Sequence, residues 1–194
     1  MRGLIRFIMI VSVWINGIFL VYPHPCASEV LITVEQALKQ IYPKASGTEK
    51  KVLELMADDI RLIEQKAPLV FEGAHLDQIV VYTIHEDGTT AGFAFEDTVK
   101  GKWGPIHYLV GLAPEGIILQ AIILDYQEIR GKPIAQKRFL NQFKRKAWND
   151  RLVLGKDIDG ITGATISSRS LTDGIRKVLC VFHLLMTSGK PPTP

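Results

Sequence analysis

Cysteine is scarce in this chain of 194 residues, which contains only Cys26 and Cys180. Two isolated cysteines exclude a disulfide scaffold, a zinc site built from cysteines and a CxxCH haem attachment. Long apolar runs are also lacking: the run Phe7–Tyr22 spans 16 residues, whereas a membrane-spanning helix needs roughly 20. The composition, 47% apolar and 22% charged, excludes a disordered chain and a multi-span membrane protein, and the length suits one domain.

Acidic residues are absent from the first 28 positions. Two arginines precede the apolar run Phe7–Tyr22, and the small residues Ala27 and Ser28 end the segment. A basic start, a short apolar run and small residues at the end are typical of a secretory signal. We therefore expect residues 1–28 to direct export to the periplasm or cell envelope. The alternatives are an uncleaved membrane anchor and a lipoprotein signal at Cys26.

Net charge is close to zero once residues 1–28 are set aside, because 21 basic and 20 acidic residues remain. A net charge of +1 argues against nucleic acid as a partner, since binding to phosphates needs a basic surplus. The charge is uneven, with eleven acids and four bases in residues 49–97 and seven bases and one acid in residues 132–151. Either these are solvated helix faces, or the basic segment faces an anionic ligand, an acidic redox partner or a membrane surface.

Helical patterns open the remaining chain, in residues 29–74. Thr33 and Gln36 match a capping box before a helix over 34–41, and apolar spacing predicts a second helix over 48–66. Strand patterns follow at 78–84, 89–95, 105–113 and 116–126, with hairpin turns at 86–88 and 114–116. The pattern predicts an α+β fold, in which an antiparallel sheet of hairpins is flanked by helices.

Helical spacing returns after Pro133. The apolar residues expected on one face of a helix there are Ile134, Phe139, Leu140 and Phe143. A last amphipathic helix is predicted to start near Ser167, with Cys180 as a buried core thiol. We place the main domain at residues 75–186 and a flexible tail at 187–194.

One loop before the last helix has an unusual composition. Asp159 and Gly160 favour a tight turn, Gly163 allows positive φ or close backbone approach, and Ala164 leaves room. Four hydroxyl side chains lie here, at Thr162, Thr165, Ser167 and Ser168. Because a helix N-terminus offers free N–H groups and a positive dipole end, the pattern indicates a site for a phosphate-sized anion. The alternative is that these residues only cap a helix.

The segment Asp159–Thr165 resembles the flavinylation motif D-x-x-[ST]-G-A-[ST] of the FMN-binding domain family. That family includes the C subunit of the sodium-pumping NADH:quinone reductase and the G subunit of the Rnf complex. The resemblance implies that Thr165 carries FMN through a phosphoester bond, formed by a periplasmic flavin transferase. It also implies cofactor contacts from the rest of the loop, which are Asp159, Thr162, Gly163, Ala164, Ser167 and Ser168.

A second stretch, residues 101–131, is similar to the paired strands of the same family. Tyr126 and Glu128 occupy its His/Tyr-x-Glu pattern, which implies a cofactor contact from Glu128. The flavin ring needs an apolar or aromatic platform, and Trp103 before Gly104-Pro105 is the best candidate. The alternative for Trp103 is packing on a sheet edge.

The leading hypothesis is an exported flavoprotein that passes electrons between redox partners, such as a cytochrome or a membrane reductase subunit. The sequence shows no nucleophile–base set and no NAD fingerprint, so we assign no catalytic residue, and the scattered histidines suggest no metal site. One alternative is a reductase subunit that acts on a small acceptor with help from Glu128 or Arg130. Another is a binding module that retains the fold without flavin.

Overall fold

The computed structural model of the chain describes residues 29–66, 78–126 and 134–188. In chain order the elements are β1 Glu29–Val30, α1 Val34–Ile41, β2 Gly47–Glu54, α2 Ala57–Lys66, β3 Gln78–Glu86, β4 Thr89–Lys100, β5 Pro105–Leu112, β6 Ile118–Tyr126, α3 Lys137–Leu140 and α4 Thr165–Thr187, with a turn of 3-10 helix at Asn141–Phe143 between α3 and α4. The strands form one antiparallel sheet in the order β1-β6-β5-β4-β3-β2. The predicted α+β class with an antiparallel sheet of hairpins is confirmed.

The hairpins form where the turn residues allow them. Asp87 and Gly88 both have positive φ, at 49° and 78°, and Glu86 pairs with Thr89, which makes a two-residue type I′ turn between β3 and β4. Between β5 and β6, Gly116 has φ +83° and its N–H donates to the carbonyl oxygen of Ala113. Both predicted hairpins are confirmed.

The sheet has an apolar core on each face because its side chains alternate. On β4, Phe93 and Phe95 belong to a large buried cluster that includes the inner face of α4. Ala94 between them belongs to a smaller cluster that includes Ala37 and Tyr42 from the α1 side. The molecule therefore has three layers, with the sheet between α1 and the pair α2 and α4.

The predicted helix over 48–66 is wrong in its first half. Residues 47–54 form strand β2, which pairs with β3 from Gly47 opposite His85 to Glu54 opposite Gln78. The helical spacing of Val52 and Met56 is misleading, since these side chains are 50% and 68% exposed and form no buried helix face. The helix begins at Ala57, so the lead-in segment contributes two strands to the sheet as well as α1 and α2.

The segment after Pro133 is also less helical than its spacing predicts. Ile134, Phe139 and Phe143 are buried as expected, but helical structure is limited to α3 and the single 3-10 turn. The backbone then turns at Arg145, which has φ +64°, and its N–H donates to the carbonyl oxygen of Ile118. The basic residues after Phe143 therefore lie on a turn held against the start of β6.

Helix α4 begins at Thr165, two residues earlier than predicted, and Cys180 is buried in it. None of the described helices is both long and apolar enough to cross a membrane. The predicted signal at residues 1–28 and the end of the predicted tail, from residue 189, lie outside the described residues. The domain boundaries stay predictions.

Candidate functional site

Helix α4 lies close against the sheet. A Cβ atom on Gly174 would meet the hydroxyl oxygen of Tyr108 at 2.5 Å, so only glycine allows this approach. One turn further along the helix, the ammonium of Lys177 lies 3.1 Å from the carboxylate of Asp97 on β4. The middle of α4 is thereby held at a defined place over the sheet.

A tight turn leads into α4. The N–H of Ala164 donates to the carbonyl oxygen of Ile161 over 2.9 Å, and Gly163 between them has φ +83°, as in a type II turn. A Cβ atom on Gly163 would meet no atom within 4 Å. Of the two reasons the sequence offers for this glycine, the structure shows positive φ, with no close approach by another part of the described chain.

Thr165 is the first residue of α4, and its side chain is exposed. The N-cap residue, Ala164, makes no side-chain hydrogen bond to the helix. The first helical hydrogen bond runs from the N–H of Ser168 to the carbonyl oxygen of Ala164. Helix geometry leaves the N–H groups of Thr165 and Ile166 without an intrahelical acceptor, next to the positive end of the dipole. This environment suits a phosphoester on the Thr165 hydroxyl, because such an ester keeps one negative charge.

Ser167 and Ser168 are fully buried and bind the protein's own backbone. The hydroxyl oxygen of Ser167 accepts from the N–H of Lys102 over 3.2 Å, and that of Ser168 accepts from the N–H of Ile161 over 3.3 Å. They tie the first turn of α4 to the loops on either side. A direct contact of either hydroxyl with FMN stays a prediction.

The loop between β4 and β5 carries Trp103 beside this helix turn. Gly101 and Gly104 close the loop with a 2.8 Å backbone hydrogen bond, and Ser167 holds the backbone of Lys102. The indole of Trp103 is 55% exposed, and the ammonium of Lys102 lies 4.8 Å from its ring centroid. Trp103 is therefore largely exposed on a loop that contacts the first turn of α4, and a contact of its indole with the flavin ring stays a prediction.

Gln142 contacts the motif at its other end, and the sequence gives no hint of it. The N–H of Asp159 donates to the side-chain oxygen of Gln142 over 2.8 Å. The side-chain nitrogen of Gln142 donates back to the carbonyl oxygen of Asp159 over 3.2 Å. The carboxylate of Asp159 remains exposed.

A cavity of about 270 Å³ adjoins this contact. The residues that line it are Gln136, Arg138, Phe139, Gln142, Asp159, Gly160, Ile161 and Thr162. Arg138 is exposed and places a cation at the edge of the motif. Glu128, the remaining predicted contact, lies outside the described residues.

These features define a cofactor-binding α+β domain, in which an exposed threonine begins the helix that crosses the sheet. Residues 101–180 match the model of the FMN-binding domain, which confirms the predicted resemblance to that family over this part of the chain. It is 28% identical over 162 residues to the G subunit of the Na(+)-translocating ferredoxin:NAD(+) oxidoreductase complex of Acetobacterium woodii, covering 77% of this chain and 73% of that protein. It is 29% identical over 106 residues to the G subunit of the proton-translocating ferredoxin:NAD(+) oxidoreductase complex of Clostridium ljungdahlii, covering 50% of this chain and 57% of that protein.

The described residues fit FMN on chemical grounds. A phosphate ester needs a hydroxyl and N–H donors, which Thr165 and the first turn of α4 offer. Arg138 adds positive charge beside the Asp159–Thr162 end of the motif. A flavin ring needs an apolar or aromatic surface, and Trp103 is exposed near the same turn. The family's cofactor is thus compatible with the side chains present.

Proposed function

We propose that this protein is an exported electron-transfer flavoprotein that carries FMN on Thr165 through a phosphoester bond. The observation that carries the proposal is the position of Thr165. Thr165 is an exposed residue at the start of α4, directly after the turn through Gly163. A modifying enzyme can therefore reach the hydroxyl without unfolding the domain.

The attachment step needs an activated flavin donor, because an alcohol does not displace water from a free phosphate. We propose a flavin dinucleotide such as FAD as the donor, delivered by a periplasmic flavin transferase. The oxygen of Thr165 forms a bond to the phosphorus that bears the flavin, the anhydride P–O bond breaks and AMP leaves with its electron pair. The hydroxyl proton passes to a base of the transferase.

FMN, when bound, supplies a ring that accepts and releases one or two electrons. The contribution of this chain is to hold that group in place and at the surface. The dipole of α4 offsets the remaining phosphate charge, and Trp103 offers a face for the ring. A covalent bond also prevents loss of the cofactor outside the cytoplasm, where resupply is lacking.

Relatives of the chain suggest the partners. Both related G subunits are named as parts of ferredoxin:NAD(+) oxidoreductase complexes. We propose that this protein likewise exchanges electrons with redox proteins, a cytochrome or a membrane reductase subunit among them. Residues 1–28 would direct it to the cell envelope.

A second candidate function is reduction of a small acceptor, which the cavity of about 270 Å³ beside Asp159–Thr162 favours. Flavinylated protein reduced by a dye, with added small acceptors and no partner protein, separates the two functions. An electron carrier gives one fast reoxidation in stopped-flow measurements and no selectivity among acceptors. Sustained, saturable turnover with one acceptor class would instead identify a reductase.

A further inference from the structure

The contact between Gln142 and Asp159 joins two parts of the chain that are 17 residues apart. The carboxamide of Gln142 makes both hydrogen bonds with one peptide segment, accepting at 2.8 Å and donating at 3.2 Å. The carboxamide of Gln142 thus forms the same pair of N–H···O=C hydrogen bonds that residues of neighbouring β-strands form with each other. It engages the backbone polar groups of Asp159 and leaves its carboxylate exposed.

The loop is held at further points along its length. Ser168 accepts from the N–H of Ile161, and the carbonyl oxygen of Ile161 accepts from the N–H of Ala164. Between and after these points the side chains of Thr162 and Thr165 are exposed. Hydrogen bonds thus fix the backbone of the motif, while Thr162 and Thr165 are exposed.

Gln142 differs from the other two contacts because it lies outside the motif and its helix. Its backbone belongs to the 3-10 turn, which Phe143 anchors in the core. A rigid support of this kind places a reactive group within the narrow range that group transfer requires. The support acts on the start of the loop, six residues before Thr165.

We propose that Gln142 is a positioning residue for covalent flavin attachment: its carboxamide holds Asp159 so that the loop presents Thr165 to the flavin transferase. This inference rests on the proposed function. It assigns to a side chain outside the motif a role in how well the motif is modified.

The test is the initial rate of flavin attachment to the purified chain, with the transferase and FAD, followed by intact mass. Gln142→Met keeps the length of the side chain and removes both hydrogen bonds, and we expect the rate to fall about tenfold, the size expected for one or two lost neutral hydrogen bonds. Gln142→Glu keeps the acceptor for the Asp159 N–H and should recover part of the rate. Asn141→Ala, on the same 3-10 turn, is the matched control and should react like the parent chain.

Hydrogen exchange of the Asp159 amide distinguishes a local positioning role from a general loss of stability, because a general loss would also speed exchange in the core. In Gln142→Met we expect faster exchange at Asp159 while core amides of β4 and β5 keep their protection. A parental attachment rate in Gln142→Met, with the Asp159 amide deprotected, would overturn the positioning role and leave the proposed function standing. Absence of covalent flavin from the parent chain itself would overturn the proposed function.

Discussion

Lys177 on α4 and Asp97 on β4 form a buried ion pair, with 3.1 Å between the ammonium nitrogen and a carboxylate oxygen. Tyr108 on β5 donates its hydroxyl to the same carboxylate oxygen over 2.8 Å. Burial raises the pKa of Asp97, and the Lys177 ammonium opposes that rise. The three side chains join the helix that begins at Thr165 to two central strands of the sheet.

Replacing Lys177 with Met should destabilise the domain strongly, because Asp97 would stay buried without its cation. Loss of one partner of a buried pair costs about 3–5 kcal/mol. Urea unfolding of Lys177→Met should show this loss, and the double variant Lys177→Met/Asp97→Asn should recover part of it. A loss below about 1 kcal/mol for Lys177→Met would contradict the account of the pair.

His107 lies between two carboxylates on the α1 face of the sheet. Its ring nitrogens lie 2.8 Å from Asp125 and 2.9 Å from Glu96, and Tyr82 donates its hydroxyl to Glu96 over 2.5 Å. The hydrogen bond with Glu96 raises the pKa of His107, and the same contact lowers the pKa of Glu96. The pair is most favourable when the imidazole is protonated and the carboxyl is ionised.

This contact predicts how stability depends on pH. The raised pKa of His107 adds stability that is complete below the ordinary histidine value of 6.5 and is lost as pH rises through the folded-state pKa. The lowered pKa of Glu96 adds stability that is complete above 4.5 and is lost as pH falls through its folded-state pKa. Urea unfolding from pH 4 to 9 should show the contribution at its largest between these values (roughly 4.5 to 6.5). His107→Gln should flatten the profile; an unchanged profile would show that the cluster does not couple to folding.

Two glycines provide a matched test of the motif. Gly163 and Gly155 have φ +83° and +82°, and a Cβ atom on either would meet nothing within 4 Å. Alanine at either position should therefore cost the same free energy of unfolding, about 1–2 kcal/mol. Only Gly163→Ala changes the turn before Thr165, so it alone should slow flavin attachment, measured by intact mass. Equal attachment in the two variants would show that the turn geometry at Gly163 does not matter.

The basic turn after Phe143 predicts the salt dependence of electron transfer. Lys144 and Arg145 are exposed there, whereas Lys146 lies 3.9 Å from Asp150. Exposed charges of one sign speed encounter with an acidic partner and contribute little to stability. Lys144→Gln/Arg145→Gln should slow stopped-flow electron transfer at low ionic strength and flatten its salt dependence, with flavin content unchanged.

The control for that experiment removes the same charge elsewhere. Lys39 and Lys51 are exposed on α1 and β2, so Lys39→Gln/Lys51→Gln lowers the net charge equally. If the basic turn is a docking surface, Lys144→Gln/Arg145→Gln must slow electron transfer more than Lys39→Gln/Lys51→Gln does. Equal rates and equal salt slopes in the two double variants would leave the basic turn as a solvated surface.

The sequence predicted those parts of the fold that local chemistry determines. The type I′ turn at Asp87-Gly88 and the capping box at Thr33 and Gln36 depend on neighbouring residues, and both form as expected. Strand β2 was missed because Val52 and Met56 have helical spacing, while its strand structure depends on pairing with β3, which is distant in sequence. The spacing of apolar residues alone does not distinguish a helix from a strand here.

The same limit applies to the site. The motif residues are contiguous, so their turn and the start of α4 were predictable to within two residues. Gln142 reaches the motif, and Lys102 reaches the first turn of α4, only through the folded chain, and no spacing rule relates them to these segments. The sequence does not distinguish the buried Ser167 and Ser168 from the exposed Thr162 and Thr165, because burial at a helix start depends on the neighbouring loops.

The most direct test of the central claim is peptide mapping by mass spectrometry of the chain coexpressed with a flavin transferase. The account predicts one peptide that carries FMN, with the modification on Thr165. It also predicts complete loss of FMN in Thr165→Ala with an unchanged melting temperature, because the Thr165 side chain is exposed, and reduced modification in Thr162→Ala. Covalent FMN that persists in Thr165→Ala, or a parent chain that carries none, would contradict the account.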